Sequence, residues 1–139
     1  MTPPPRPRGR FAPSPTGDLH FGSLVAALGS WLMARQAGGA WLVRVEDIDP
    51  PREVPGAAAR QLGALAAFGL VSDEPVLWQS RRGEAYAAAL QRLLSAGLAF
   101  ECRCSRSDLA AAGGIHRACV AGRGSGPAAV RLRVPDQTI

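Results

Sequence analysis

The chain has 139 residues, 47% of them hydrophobic, which is enough for a real core and too apolar for disorder throughout. Its formal charge is +5, carried by arginine with no lysine at all, which suits an anionic partner such as a nucleotide or an RNA. Three cysteines, an odd number, argue against a disulfide scaffold, and the most apolar window, residues 21–34, is shorter than the roughly 20 residues of a membrane span.

Residues 1–8 are rich in proline and arginine, hold no apolar run, and are expected to be a flexible tail, not a secretory leader. The expected compartment is the cytoplasm, with no membrane association. Residues 9–12 can form a first strand. The prolines and glycine of Pro13-Ser14-Pro15-Thr16-Gly17 then forbid regular structure. From Ser23 onward, Leu24, Leu28, Trp31, Leu32 and Arg35 recur at three- and four-residue steps, which predicts a helix stopped at Gly38-Gly39. A strand thus runs through a tight loop into a helix N-terminus, whose free N–H groups suit a phosphate. His20 and Gly22 sit at that junction. Histidine can donate a hydrogen bond to a phosphate oxygen, and glycine lets a ligand approach the backbone. The plainer reading is a surface loop before an amphipathic helix.

Residues 41–46, Trp-Leu-Val-Arg-Val-Glu, predict a second strand. Strand, helix and strand begin a parallel sheet with a right-handed crossover. Such sheets bind ligands beyond the carboxyl ends of their strands, where the loop after Ala12 and the acids after Val45 would meet. The acids Glu46-Asp47-Ile48-Asp49 before Pro50 read, by themselves, as a solvated turn. Residues 55–69 predict a small-residue helix buried through Leu62, Leu65, Ala66 and Phe68. Residues 76–80 predict a short extended piece. Residues 81–96 predict a further helix with Tyr86, Ala89, Leu90, Leu93 and Leu94 as its stripe, and Trp78 and Tyr86 read as core.

Cys102 and Cys104 form one close pair, and eleven residues later His116 and Cys119 form another. Four soft or borderline ligands in two close pairs fit one tetrahedral, structural zinc ion. The alternative is three scattered cysteines and a surface histidine. A flexible linker over 123–127 and an alternating strand over 129–134 follow.

The ordered string Arg10-Phe11-Ala12-Pro13-Ser14-Pro15-Thr16-Gly17, with His20-Phe21-Gly22-Ser23, resembles the first signature of class I aminoacyl-tRNA synthetases, and in particular their glutamate branch. Ser23 stands where the second histidine of that signature would be. Arg44-Val45-Glu46-Asp47-Ile48-Asp49 resembles the Arg-x-Glu-Asp-x-Asp block of the same branch. Together with Gln79-Ser80-Arg81 and the cysteine cluster, these blocks are similar to a shortened paralogue group of the glutamyl-tRNA synthetases.

The resemblance implies the N-terminal half of a Rossmann-type α/β parallel sheet over residues 9–100, with a zinc-binding insertion over 101–139. It implies a ligase that activates L-glutamate with ATP, accompanied by Mg2+, and transfers glutamate to the queuosine base of tRNA(Asp), acting as a monomer. By the same resemblance Arg10, Ala12, Ser14 and Glu46 would hold glutamate. Pro13, His20, Gly22 and Ser23 would contact ATP, with His20 stabilising charge on the phosphate. Cys102, Cys104 and Cys119 match zinc ligands, and His116 takes the place of a tyrosine common in the family. The family has a second half with a Lys-Met-Ser-Lys-Ser-like loop, and these 139 residues hold no counterpart. The chain by itself is therefore expected to be inactive. Two other readings stay open: a piece of an ordinary glutamyl-tRNA synthetase, and a non-catalytic zinc- or RNA-binding fragment.

Overall fold

A computed structural model describes residues 6–111, 113, 118, 119 and 127–133. The chain divides into two compact units, the first ending at Gly83 and the second starting at Glu84.

The first unit holds strands β1 (Arg8–Phe11), β2 (Ala40–Val45) and β3 (Leu77–Trp78), with helix α1 (Phe21–Gln36) between β1 and β2 and helix α2 (Ala57–Ala67) between β2 and β3. The three strands are parallel with β2 in the middle. Phe11 pairs with Val43, and Val45 with Trp78. The expected α/β parallel sheet is therefore present, with the loop after β1 and the acids after β2 at one edge.

Burial decides which residues carry this unit. Ala27, Ala34, Trp41, Val43, Leu65 and Leu70 form its core, flanked by Phe11, Leu19, Leu24, Trp31, Leu62 and Val76. Trp41 is wholly buried, and its indole N–H donates to the Ser30 hydroxyl at 2.9 Å, so no polar atom of that side chain is stranded. Gly9 lets α1 lie close on the sheet: a Cβ there would come within 2.9 Å of the Ala34 Cβ. Beyond the short β3, the loop before it completes the pairing of β2. Ser72 Oγ accepts from the Val43 N–H, Asp73 Oδ2 accepts from the Trp41 N–H, and the Asp73 N–H donates to the Trp41 carbonyl. Side chains there do what strand residues before Leu77 would have done. Of the expected extended piece over 76–80, Leu77 and Trp78 pair with β2, and a 3-10 turn, Gln79–Arg82, follows them.

Burial expectations for residues 55–69 and for Trp78 and Tyr86 need correction, and α1 shows a face that its periodicity left open. The buried row of α1 is Leu24, Ala27, Trp31 and Ala34, while Leu28 and Leu32 are exposed. Where the helix comes nearest the sheet, at Gly9, the facing side chain is the small Ala34. On α2 the buried residues are Ala57, Gln61 and Leu65; Ala66 and Phe68 are exposed. Tyr86 and Leu90 are exposed on helix α3 (Gly83–Ser95), which buries none of its residues, and Trp78 is half-buried.

The second unit holds α3, strand β4 (Ala99–Cys102), the short helix α4 (Arg106–Ala111) and strand β5 (Ala129–Leu132). β4 and β5 are antiparallel, with Ala99 opposite Leu132 and Cys102 opposite Ala129. Phe100, Cys102 and Cys104 are buried together, with Cys119 against them. The Arg133 guanidinium lies 5.0 Å from the centre of the Phe100 ring. The expected strand over 129–134 is thus found as far as Leu132. Most of the expected 123–127 linker lies outside the described residues.

Candidate functional site

The loop between β1 and α1 is built by its own sequence and pinned by its neighbours. Pro13 and Pro15 are buried, and between them Ser14 stays exposed. The Pro13 carbonyl accepts from the Glu46 N–H, and the Pro15 carbonyl from the Val54 N–H, each at 2.9 Å. Proline suits these positions because its own missing N–H leaves no donor to satisfy. From the other side, Gln61 of α2 donates to the carbonyls of Ser14 and Gly17.

His20 is the N-cap of α1. Its Nδ1 accepts from the Ser23 N–H at 3.3 Å, and its carbonyl accepts from the same N–H at 3.0 Å. A ring whose Nδ1 accepts carries its proton on Nε2 when neutral, so His20 presents an N–H at the helix start. Gly22 lets the ring lie close: a Cβ there would stand 3.1 Å from His20 Cε1 and 3.2 Å from Nδ1, so the ring would have to shift. The helix has no acidic residue in its first turn, so its free N–H groups keep their partial positive charge.

A cavity of about 590 Å³ opens on this loop. It brings together Ala12, Pro13, Ser14, His20, Gly22 and Ser23 from the expected site. Arg10 and Glu46 are not among its lining residues. Gly9 faces α1, so by strand alternation Arg10 stands on the other face of the sheet, beside Leu42. Glu46 accepts from its neighbour Arg44 at 2.5 Å, both side chains being about one-third exposed. Asp47 is held by Ser80, whose N–H donates to Oδ1 at 2.9 Å and whose hydroxyl donates to Oδ2 at 2.6 Å. Burial pushes the Asp47 carboxyl up, but the Ser80 hydroxyl and N–H and neighbouring backbone donors outweigh it, and the net pKa lies below the ordinary value. Gln61, which borders the cavity, belongs to no motif in the sequence. Its only signal was a polar residue on the inward side of α2.

In the second unit the Sγ atoms of Cys102, Cys104 and Cys119 all lie within 4.8 Å of one another, with Cys104 and Cys119 at 3.9 Å. Four ligands at the usual zinc–sulfur length, in a tetrahedron, stand roughly 3.8 Å apart, so the three thiols suit one ion. Burial raises the Cys102 pKa, but hydrogen bonds from the Cys104 N–H, Arg131, Cys104 and Cys119 bring it below the ordinary value, toward the thiolate that a metal takes. The Arg103 N–H also donates to Cys119 Sγ at 3.4 Å. His116, the expected fourth ligand, lies outside the described residues. Among the described residues, no helix is long and apolar enough to cross a membrane.

Comparison with known proteins places the chain in a family. Residues 7–123 match the family described as tRNA synthetases class I (E and Q), catalytic domain. The Glutamyl-Q tRNA(Asp) synthetase of Xanthomonas campestris pv. campestris (strain 8004) is 70% identical over 131 residues, which are 94% of this chain and 44% of that protein. The protein of the same name from Burkholderia mallei (strain ATCC 23344) is 58% identical over 94% of this chain and 48% of its own length. The chain thus spans less than half the length of these curated relatives. A crystal structure of a glutamate tRNA ligase from Elizabethkingia meningosepticum, in complex with its amino acid, is similar with a TM-score of 0.65 and 35% identity, over 76% of this chain and 22% of that one.

Proposed function

The chain belongs to the class I tRNA synthetase family for glutamate and glutamine, and from that premise we propose that it supplies the first half of a site that activates L-glutamate with ATP for transfer to the queuosine base of tRNA(Asp). The observation that carries this reading is the signature loop. It runs from the end of β1 into the N-terminus of α1, with His20 capping the helix over Gly22. The name Glutamyl-Q tRNA(Asp) synthetase on relatives at 58% and 70% identity supports the acceptor. The amino acid bound by the Elizabethkingia ligase supports the substrate.

The chemistry follows from the residues. A glutamate carboxylate oxygen attacks the α-phosphorus of ATP, and pyrophosphate leaves with the electrons of the broken P–O bond. Negative charge grows on the phosphate oxygens, where His20 Nε2–H and the free N–H groups of α1 stabilise it. Pro13, Gly22 and Ser23 complete the nucleotide wall, and Mg2+ accompanies ATP. Ala12 and Ser14 form the amino-acid wall. Glu46 would pair with the substrate ammonium and Arg10 with a carboxylate, each by a charge-assisted contact. Glu46 would then share its carboxylate between the ligand and Arg44.

Residues 9–100 would form the first half of the catalytic domain and 101–139 a metal-binding insertion. Cys102, Cys104, Cys119 and His116 would hold one structural zinc; four protein ligands leave no open position for chemistry. The protein would act as a cytoplasmic monomer. The experiment uses a chain of the relatives' full length that carries this sequence. It should exchange pyrophosphate into ATP with glutamate and without tRNA, and should then label tRNA(Asp) only when the tRNA bears queuosine. Charging of a glutamate-accepting tRNA instead would establish the ordinary synthetase. No exchange at all would remove the enzymatic reading.

A further inference from the structure

Gln61 holds the signature loop from behind. It is 3% exposed, and its Nε2 donates to the Ser14 carbonyl at 3.0 Å and to the Gly17 carbonyl at 2.6 Å. Its Oε1 is buried with no hydrogen-bond partner among the described residues, and the residue borders the cavity on that loop. The two carbonyls fix which way the amide faces, since the opposite orientation would set an oxygen against both of them.

Those carbonyls stand on different parts of the loop. Ser14 belongs to the amino-acid wall with Ala12. Gly17 leads through Asp18 and Leu19 to His20 and the nucleotide wall. One buried side chain therefore spans the two. Arg60 adds a bond to Asp18 at 2.6 Å, but that pair is at least half exposed and contributes little. The buried amide has no water to replace its partners, so its bonds are costly to lose.

We propose that Gln61 is a positioning residue for adenylate formation: it sets the separation between the amino-acid wall and the nucleotide wall. This rests on the function proposed above. Attack on the α-phosphorus requires the glutamate oxygen in line with the leaving pyrophosphate, and the rate falls steeply with misplacement. A residue that fixes the separation acts on turnover more than on affinity for either substrate alone.

The test uses the full-length enzyme and two variants. Gln61→Met keeps the length of the side chain and removes both donors. Its kcat for glutamate-dependent pyrophosphate exchange should fall about ten- to a hundredfold, while both KM values stay within about threefold. Gln61→Glu is isosteric and sets a carboxylate against two carbonyl oxygens; once protonated it regains one donor. The kcat of Gln61→Glu divided by that of Gln61→Met, each taken per folded molecule from circular dichroism at the same pH, should therefore rise as the pH is lowered, which loss of stability alone would not produce. If Gln61→Met does not fold, the pH dependence of Gln61→Glu against wild type decides. Variants with wild-type kcat, or with raised KM and unchanged kcat, overturn the proposal while leaving the function intact. A wild-type chain without exchange overturns the function and this proposal with it.

Discussion

Asp73 collects three donors. Both arms of the Arg35 guanidinium reach it, at 2.6 and 2.8 Å, and the Trp41 N–H donates to it at 2.6 Å. The Arg35 hydrogen bonds first, and the Trp41 N–H second, lower its pKa from 3.8 to about 2. A depressed carboxyl contributes stability that is full above its unfolded pKa and is lost as the pH falls through its folded pKa. The wild-type melting temperature should therefore drop between about pH 4 and about pH 2 more steeply than that of Asp73→Asn, and the two curves should converge near the lower end. Parallel curves across that window would show that Asp73 does not titrate with folding. Nothing in the sequence marks Asp73, because Arg35 lies 38 residues earlier and only the fold brings them together. Gln61 was hidden for the same reason. His20 and Gly22 were legible because they are neighbours of one loop, and Cys102, Cys104 and Cys119 because thiols gather for so few purposes.

Helix α1 was legible as a helix but not as a face. Its sequence is apolar nearly all round, so periodicity alone could not choose between the row of Leu28 and Leu32 and the row of Ala27 and Ala34. Close packing made the choice, and Gly9 is the evidence for it. A Cβ at that position meets the Ala34 Cβ at 2.9 Å and the Ser30 carbonyl oxygen at 3.1 Å, neither of which ends a flexible side chain. Gly9→Ala should push α1 off the sheet and destabilise the first unit by about 1–3 kcal/mol. The midpoint of urea unfolding measures it. An unchanged midpoint would show that α1 can shift without loss. Strand β3 teaches the complement: the extended piece expected over 76–80 pairs through Leu77 and Trp78, while Ser72 and Asp73 satisfy the amides of Val43 and Trp41 before it.

At the scale of the whole molecule the two units stand on different kinds of core. The first rests on Trp41, Leu65 and their neighbours; among the described residues the second clusters Phe100 with buried Cys102 and Cys104, and half-buried Cys119 packs against them. The ion proposed for these thiols would complete that core. Chelation of the metal should therefore open the chain beyond Gly83 to protease and leave the residues before it protected. Equal protection with and without chelator would remove the metal from the folding of the second unit. The same division has an optical consequence. All three tryptophans, Trp31, Trp41 and Trp78, precede the boundary, and the lone tyrosine, Tyr86, follows it. Indole emission therefore reports the first unit and is silent about the second. Trp41, wholly enclosed, should emit toward the blue and resist quenching by iodide, while the half-buried Trp31 and Trp78 give the accessible fraction. The unit that carries the signature loop thus contains its own fluorescent reporter.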